Sequence, residues 1–179
     1  EKPGAVLIEL PEDIAKQETA KLPIQPTQAR RPVADDKAVD RAWAALQMAK
    51  NPIILAGNGC IRKRASKQLR IFCEKTGIGV ISTFMAKGCV DMDALYCLYT
   101  AGLQARDVVC HAIENADLII TLGFDMVEYP PTLWNPNGTK PIIHADFLPA
   151  EIDENYYPSH EIIGDLAHTL WMLNERVDT

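Results

Sequence analysis

Asn51-Pro52-Ile53-Ile54-Leu55-Ala56-Gly57-Asn58-Gly59 is the stretch whose reading decides the fold. Asn51-Pro52 should stop a preceding helix, because the residue before a proline is pushed out of the helical region. Four apolar residues without alternation then read as a strand covered on both faces, as in a parallel sheet. The Gly-Asn-Gly that follows has two readings. Small residues there let backbone amides approach a phosphate or nucleotide, or they make a tight strand-to-helix turn that needs positive φ. The third glycine of the dinucleotide fingerprint is missing, and Ile61-Arg62 stands where that motif would continue.

Outward from this stretch, helical and strand patterns alternate. Upstream, Asp35 or Asp36 can cap a helix with Val39, Trp43, Leu46 and Met48 or Ala49 at helical spacing. Downstream, a helix over 66–75 ends at Gly77, and a strand surrounds Val80-Ile81. Residues 86–102 are less regular, with a short strand near Leu98 and Tyr99. Helical spacing over 107–115 leads into a buried strand over 118–122, and a proline-bearing loop runs over 124–139. Strands follow at Ile142-Ile143-His144-Ala145 and Ile162-Ile163, and Asp165 caps a last helix with Leu166, Leu170 and Leu173 on one face. This order predicts an α/β, three-layer α/β/α domain, Rossmann-like, with a mostly parallel sheet of five or six strands. The apolar run Ala5-Val6-Leu7-Ile8-Glu9-Leu10 reads as a strand standing apart, separated by a proline-rich linker over 11–34. Residues 1–34 are therefore expected to be the tail of a preceding domain plus linker, and 35–179 the domain proper.

The totals narrow the partners. Acids outnumber bases 24 to 18 in 179 residues, and the short Arg62-Lys63-Arg64 cluster lacks interleaved aromatics, so nucleic acid is not expected. Three basic residues at a helix start read as a solvated face or as a contact for a ligand phosphate. No stretch approaches the roughly 18 apolar residues of a membrane span, so neither a membrane partner nor a place outside the cytoplasm is expected. Cys60, Cys73, Cys89, Cys97 and Cys110 form no metal-finger spacing and read as reduced thiols. Cys73 and Cys110 fit helix packing, while Cys60, beside the glycine turn, is where a reactive thiol would stand. His111, His144, His160 and His168 show no metal-ligand spacing and read as structural.

In an open parallel sheet, ligands bind beyond the carboxyl ends of the strands. The candidate nucleotide site is accordingly Gly57, Asn58, Gly59, Ser82, Thr83, Gly123, Asp125 and Asp146. Ser82, Thr83 and Asp125 would bring hydroxyl and carboxylate groups to one rim. Asp146 would accept from ribose hydroxyls, or act as a turn aspartate. No nucleophile elbow and no paired carboxylates appear, so the sequence names no catalytic group and no metal site. Either the domain binds something or the chemistry lies elsewhere.

The order of segments resembles the central domain of thiamine-diphosphate enzymes such as acetolactate synthase, end to end. Residues 3–13, Pro-Gly-Ala-Val-Leu-Ile-Glu-Leu-Pro-Glu-Asp, look like the close of the family's pyrimidine-binding domain. The glycine turn resembles the opening of its central domain, and Ile142 to Asp146 with Ile162-Ile163-Gly164-Asp165 its closing strands. Gly123-Phe124-Asp125-Met126-Val127-Glu128-Tyr129-Pro130 and Leu133-Trp134-Asn135 look most like the catabolic, FAD-independent acetolactate synthases. The FAD-containing members usually carry arginines after that glycine and a Met-His pair where this chain has Leu103-Gln104. The resemblance thus argues against FAD and leaves the nucleotide site vestigial or differently occupied. It implies a carboligase that decarboxylates pyruvate and joins the product to a second 2-oxo acid. Thiamine diphosphate and Mg would be bound by other domains of the same polypeptide, since Gly164-Asp165-Leu166 is not the family's Gly-Asp-Gly motif. The domain's part would be architectural, within a homo-oligomer when full length, with the loop over 123–135 lining the substrate entrance. The rival reading is a free-standing FAD-, NAD- or ADP-binding module, and the third a scaffold without ligand.

Overall fold

The computed structural model describes residues 5–26, 30–102 and 108–177. The chain divides into two compact units, Glu1–Arg31 and Pro32–Thr179. Within the first, α1 (Glu12–Ala15) is the one regular element among the described residues. The strand expected over 5–10 is not formed, and Val6, Leu7 and Ile8 are more than four-fifths exposed. An apolar run becomes a strand only when a neighbour receives its N–H and C=O groups, and no strand of this unit does so among the described residues.

In the second unit, α2 (Asp36–Met48) begins as expected, with Asp35 accepting the Ala38 N–H at 2.9 Å. β1 (Pro52–Ala56), α3 (Lys63–Thr76) and β2 (Gly79–Thr83) follow; α3 starts three residues earlier than its spacing predicts. It closes on Gly77 in the left-handed conformation, φ 72°. β3 (Cys97–Ala101) is longer than the expected strand near Leu98 and is irregular, its register on β2 shifting between Val80 and Ser82. Tyr99, at φ 65°, sits in that irregularity. The helix expected over 107–115 is α4 (Cys110–Asn115); Leu103-Gln104 and Asp107 lie outside the described residues. β4 (Leu118–Leu122) precedes a loop holding α5 (Pro131–Trp134), one helical turn inside the loop expected over 124–139. β5 (Ile142–Asp146), β6 (His160–Ile163) and α6 (Leu166–Val177) complete the unit, with Asp165 accepting the His168 N–H at 3.0 Å. Pro32–Ala34, expected in the linker, packs in this unit. The Pro32 carbonyl accepts the Asp165 N–H at 2.8 Å, and Ala34 is buried.

All six strands are parallel, in the order β3-β2-β1-β4-β5-β6. This is the doubly wound dinucleotide order, and it reverses between β1 and β4. Side-chain parity divides the core, because successive residues of a strand face opposite sides. Ile54, Ala56, Val80, Ile120 and Ile143 pack with Val39, Leu69, Phe72 and Leu170 from α2, α3 and α6. Ile53, Leu55, Ile81, Ile119 and Ile142 pack with Ile113 of α4, Trp134 of α5, and Phe124, Tyr129 and Tyr156. The result is a three-layer α/β/α domain with long helices on one face and short helices plus aromatic rings on the other.

Where the order reverses, backbone meets backbone. A Cβ on Gly57 would clash with the Gly123 carbonyl oxygen and lie 2.5 Å from Phe124 Cα; one on Gly59 would lie 2.6 Å from Gly123 Cα. Gly57 itself has φ −100°, so the positive-φ turn offered as one reading of this glycine is not its role; the positive φ, 55°, belongs to Gly123. Gly57→Ala should therefore cost about 3 kcal/mol or more through overpacking. Gly77→Ala, with open space around its Cβ, should cost only the roughly 1–2 kcal/mol of a left-handed residue. Urea denaturation of the two variants checks this, and equal losses would assign Gly57 a conformational role instead.

Candidate functional site

The carboxyl ends of β1, β2 and β4 bring seven of the eight predicted residues to one region, while Asp146 ends the neighbouring β5. Their hydrogen bonds show what each does. Gly57 N–H donates to the Leu122 carbonyl at 2.8 Å, Gly59 N–H to Gly123 at 2.9 Å and Cys60 N–H to Gly57 at 2.9 Å. The turn amides are thus engaged by the fold itself. Asn58 N–H is the exception, and both Glu128 carboxylate oxygens lie 3.2 Å from it. The buried Thr83 hydroxyl donates to Glu128 Oε2 as well. Ser82 Oγ pairs with Thr100 Oγ1 at 3.0 Å across to β3.

The two predicted aspartates include turn carboxylates. Asp125 Oδ1 accepts the Val127 N–H at 3.1 Å, and Asp146 Oδ1 accepts the N–H of the next residue, Phe147. Gly123 N–H donates to Ala145 at 2.9 Å, extending the β4–β5 ladder by one step. Glu128, the residue on which the rim converges, was not among the candidates. A signal was available: an acid beside Tyr129, five residues beyond the strand-ending glycine, in a loop that also carries Phe124 and Trp134. It is nine-tenths buried, which an acid accepts only with partners.

Beneath the rim, a buried chain of polar groups ties the 147–156 segment to the sheet. Thr121 Oγ1 lies 2.7 Å from the Tyr156 hydroxyl, which lies 2.7 Å from His144 Nδ1, and His144 Nε2 reaches the Leu148 carbonyl at 3.0 Å. If Nε2 carries the proton, each group in the chain finds a donor or acceptor of the right kind. Both ring nitrogens of His144 are thereby engaged within the fold. No group of three or more metal-ligating side chains occurs among the described residues, and no described helix is long and apolar enough to cross a membrane.

Residues 39–173 match the model of the thiamine pyrophosphate enzyme central domain. The chain belongs to that family. It is 34% identical over 171 residues to the acetolactate synthase of Bacillus subtilis (strain 168), covering 93% of this chain and 30% of that protein. The catabolic acetolactate synthase of Raoultella terrigena is 32% identical over 179 residues, covering 99% of this chain and 32% of that protein. The acetolactate synthase large subunit of Corynebacterium glutamicum is 31% identical over 181 residues, with 97% and 29% covered. The chain spans about a third of the length of the curated relatives it matches.

Within this thiamine pyrophosphate enzyme central domain, Cys60 is a packing residue, not the reactive thiol its place beside the glycine turn offered. It is fully buried and donates to the Leu122 carbonyl at 3.2 Å, and burial pushes its thiol well above the usual range. Burial also raises Cys73, and raises Cys89 to about 11. Unfolded thiols ionise near ~8.5. Above that value the native state holds protons that the unfolded chain releases, so this contribution to stability is complete below it and declines as pH rises toward about 11. Urea midpoints measured with reductant should therefore fall between about pH 8 and about pH 10.5. A flat or rising profile would show that these thiols are not held protonated.

Proposed function

We propose that this chain is the central domain of an acetolactate synthase-like, thiamine-diphosphate-dependent carboligase. In the whole enzyme, pyruvate would be decarboxylated and the resulting two-carbon carbanion joined to a second 2-oxo acid. The observation that carries the reading is the family match over 39–173 together with acetolactate synthase relatives aligned along nearly the whole chain. Thiamine diphosphate supplies the electron sink for that decarboxylation, and Mg its diphosphate anchor. Both would be held by other domains of the same polypeptide. The described rim does not fit a diphosphate, because its turn amides are engaged by carbonyls and by Glu128.

This domain would act by architecture. Its sheet unit would hold the cofactor-binding domains at a fixed separation and contribute to a homo-oligomer, with the loop over 123–135 facing the substrate entrance. We place residues 1–31 of the tail expected over 1–34 with a preceding pyrimidine-binding domain and its linker, and the enzyme in the cytoplasm, where five free cysteines stay reduced. FAD is not a cofactor of this reading. The loop after Gly123 lacks arginines, and the engaged amides agree with that. The strand order favours a second reading, a nucleotide-binding module, which requires tight binding of FAD, NAD or ADP by the 179-residue chain.

The purified chain should form no acetolactate from pyruvate with thiamine diphosphate and magnesium present, and should bind thiamine diphosphate no better than weakly. A colorimetric acetolactate assay and isothermal titration check both. Measurable turnover would overturn the architectural role, and tight FAD, NAD or ADP binding would favour the module.

A further inference from the structure

The strand order reverses between β1 and β4, which is where a fold of this class takes the phosphates of a dinucleotide. Such a site needs free backbone N–H groups at the glycine turn. Here the amides of Gly57, Gly59 and Cys60 donate to carbonyls of the fold. The amide of Asn58 is left, and it points at a carboxylate.

We propose that Glu128 is a resident anion that closes the switch-point rim to phosphate-bearing ligands, nucleoside diphosphates among them. Its two oxygens lie 3.2 Å from the Asn58 nitrogen, and Thr83, with no exposed surface, donates its hydroxyl to Oε2. A backbone amide and a hydroxyl converging on an oxyanion is the donor set a phosphate oxygen would use. A second anion would meet both occupied donors and the repulsion of a nearby like charge, weakly screened at this depth.

The loop holds Glu128 in place. Its N–H donates to the Asp125 carbonyl at 3.0 Å, and the neighbouring Tyr129 is fully buried. The Tyr129 hydroxyl pairs with Cys110 Sγ at 3.1 Å, and its carbonyl accepts the Trp134 indole N–H at 3.1 Å. A Cβ on Gly102 would lie 3.2 Å from the Glu128 carbonyl, so the β3 end also abuts this backbone. Moving the Glu128 backbone away from Asn58 would require Tyr129, in the aromatic layer beneath the second sheet face, to move with it.

This inference extends the flavin-free reading above, and the test separates the two. Amide spectra of the 15N-labelled 179-residue chain are followed during titration with inorganic pyrophosphate and ADP, for the wild type, Glu128→Gln and Glu128→Ala. In the wild type, the Asn58 and Thr83 resonances should stay still at millimolar probe, and the Asn58 amide should exchange at least about tenfold more slowly than a free one. Glu128→Gln keeps the side chain's length and removes its charge, so pyrophosphate and ADP should bind roughly tenfold or more tighter and move both resonances.

A wild-type Asn58 amide that shifts with pyrophosphate, or that exchanges freely, overturns the proposal. So does a folded glutamine or alanine variant that stays silent toward both probes. Should both variants unfold, a protected and silent Asn58 in the wild type supports it. FAD binding to the wild type through these amides would sink this inference and the flavin-free reading together, whereas a silent folded variant sinks only this one.

Discussion

Backbone pressed on backbone at the ends of β1 and β4 is the constraint on which the remaining architecture rests. Gly57 and Gly59 lie against Gly123 so closely that a single methyl group has no room, and their N–H groups close the gap by donating to Leu122 and Gly123. β1 and β4 are neighbours in space although β2 and β3 intervene in sequence. Their register, with Ala56 opposite Leu122, runs straight into this contact. Right-handed crossovers then leave little choice about where the helices go.

The two faces of the sheet are finished differently. On one, α2, α3 and α6 supply aliphatic ridges of ordinary length. On the other, α4 and α5 are short, and rings do the covering: Phe124 meets Trp134 edge-on at 6.0 Å, and Trp134 meets Tyr156 at 6.1 Å. Rings contribute large apolar area per residue, so a loop can cover a sheet where a helix would otherwise be needed. Tyr156 carries a hydroxyl into that layer and is satisfied there by Thr121 and His144. Burial holds its phenol above the usual range, and it serves as a fixed link in the network.

The strands of the buried sheet were legible because uninterrupted apolar runs such as Ile53 to Ala56 and Leu118 to Leu122 leave no polar face. Helix ends were legible where a single residue carries the cap, as at Asp35, Gly77 and Asp165. The run over 5–10 failed because apolarity reports burial or pairing without saying whether a partner exists. β3 was blurred by its shifted register and by Tyr99 at positive φ, neither of which leaves a periodic trace. At the rim, the glycines were found but their reason was not. Close approach and positive φ both favour glycine, and only the contact with Gly123 separates them. Glu128 escaped because its partners, Asn58 and Thr83, are 70 and 45 residues away.

That long-range pairing makes the rim and the second core one unit. The loop that begins at Gly123 places Phe124 in the aromatic layer, turns at Asp125, presents Glu128 to Asn58 and Thr83, then returns Tyr129 and Trp134 to the same layer. A carboxylate so anchored is a fixed part of the fold, since Tyr129 beside it and Phe124 at the loop's start are both core residues. Conversely, the core on that face is covered by this loop in place of a longer helix, so the loop cannot be re-routed to open the rim without uncovering Ile53, Leu55 and Ile119. An α/β domain of dinucleotide topology can in this way give up its ligand site by folding one of its own acids into it. The stability of the closed rim then comes from the same residues that complete the core.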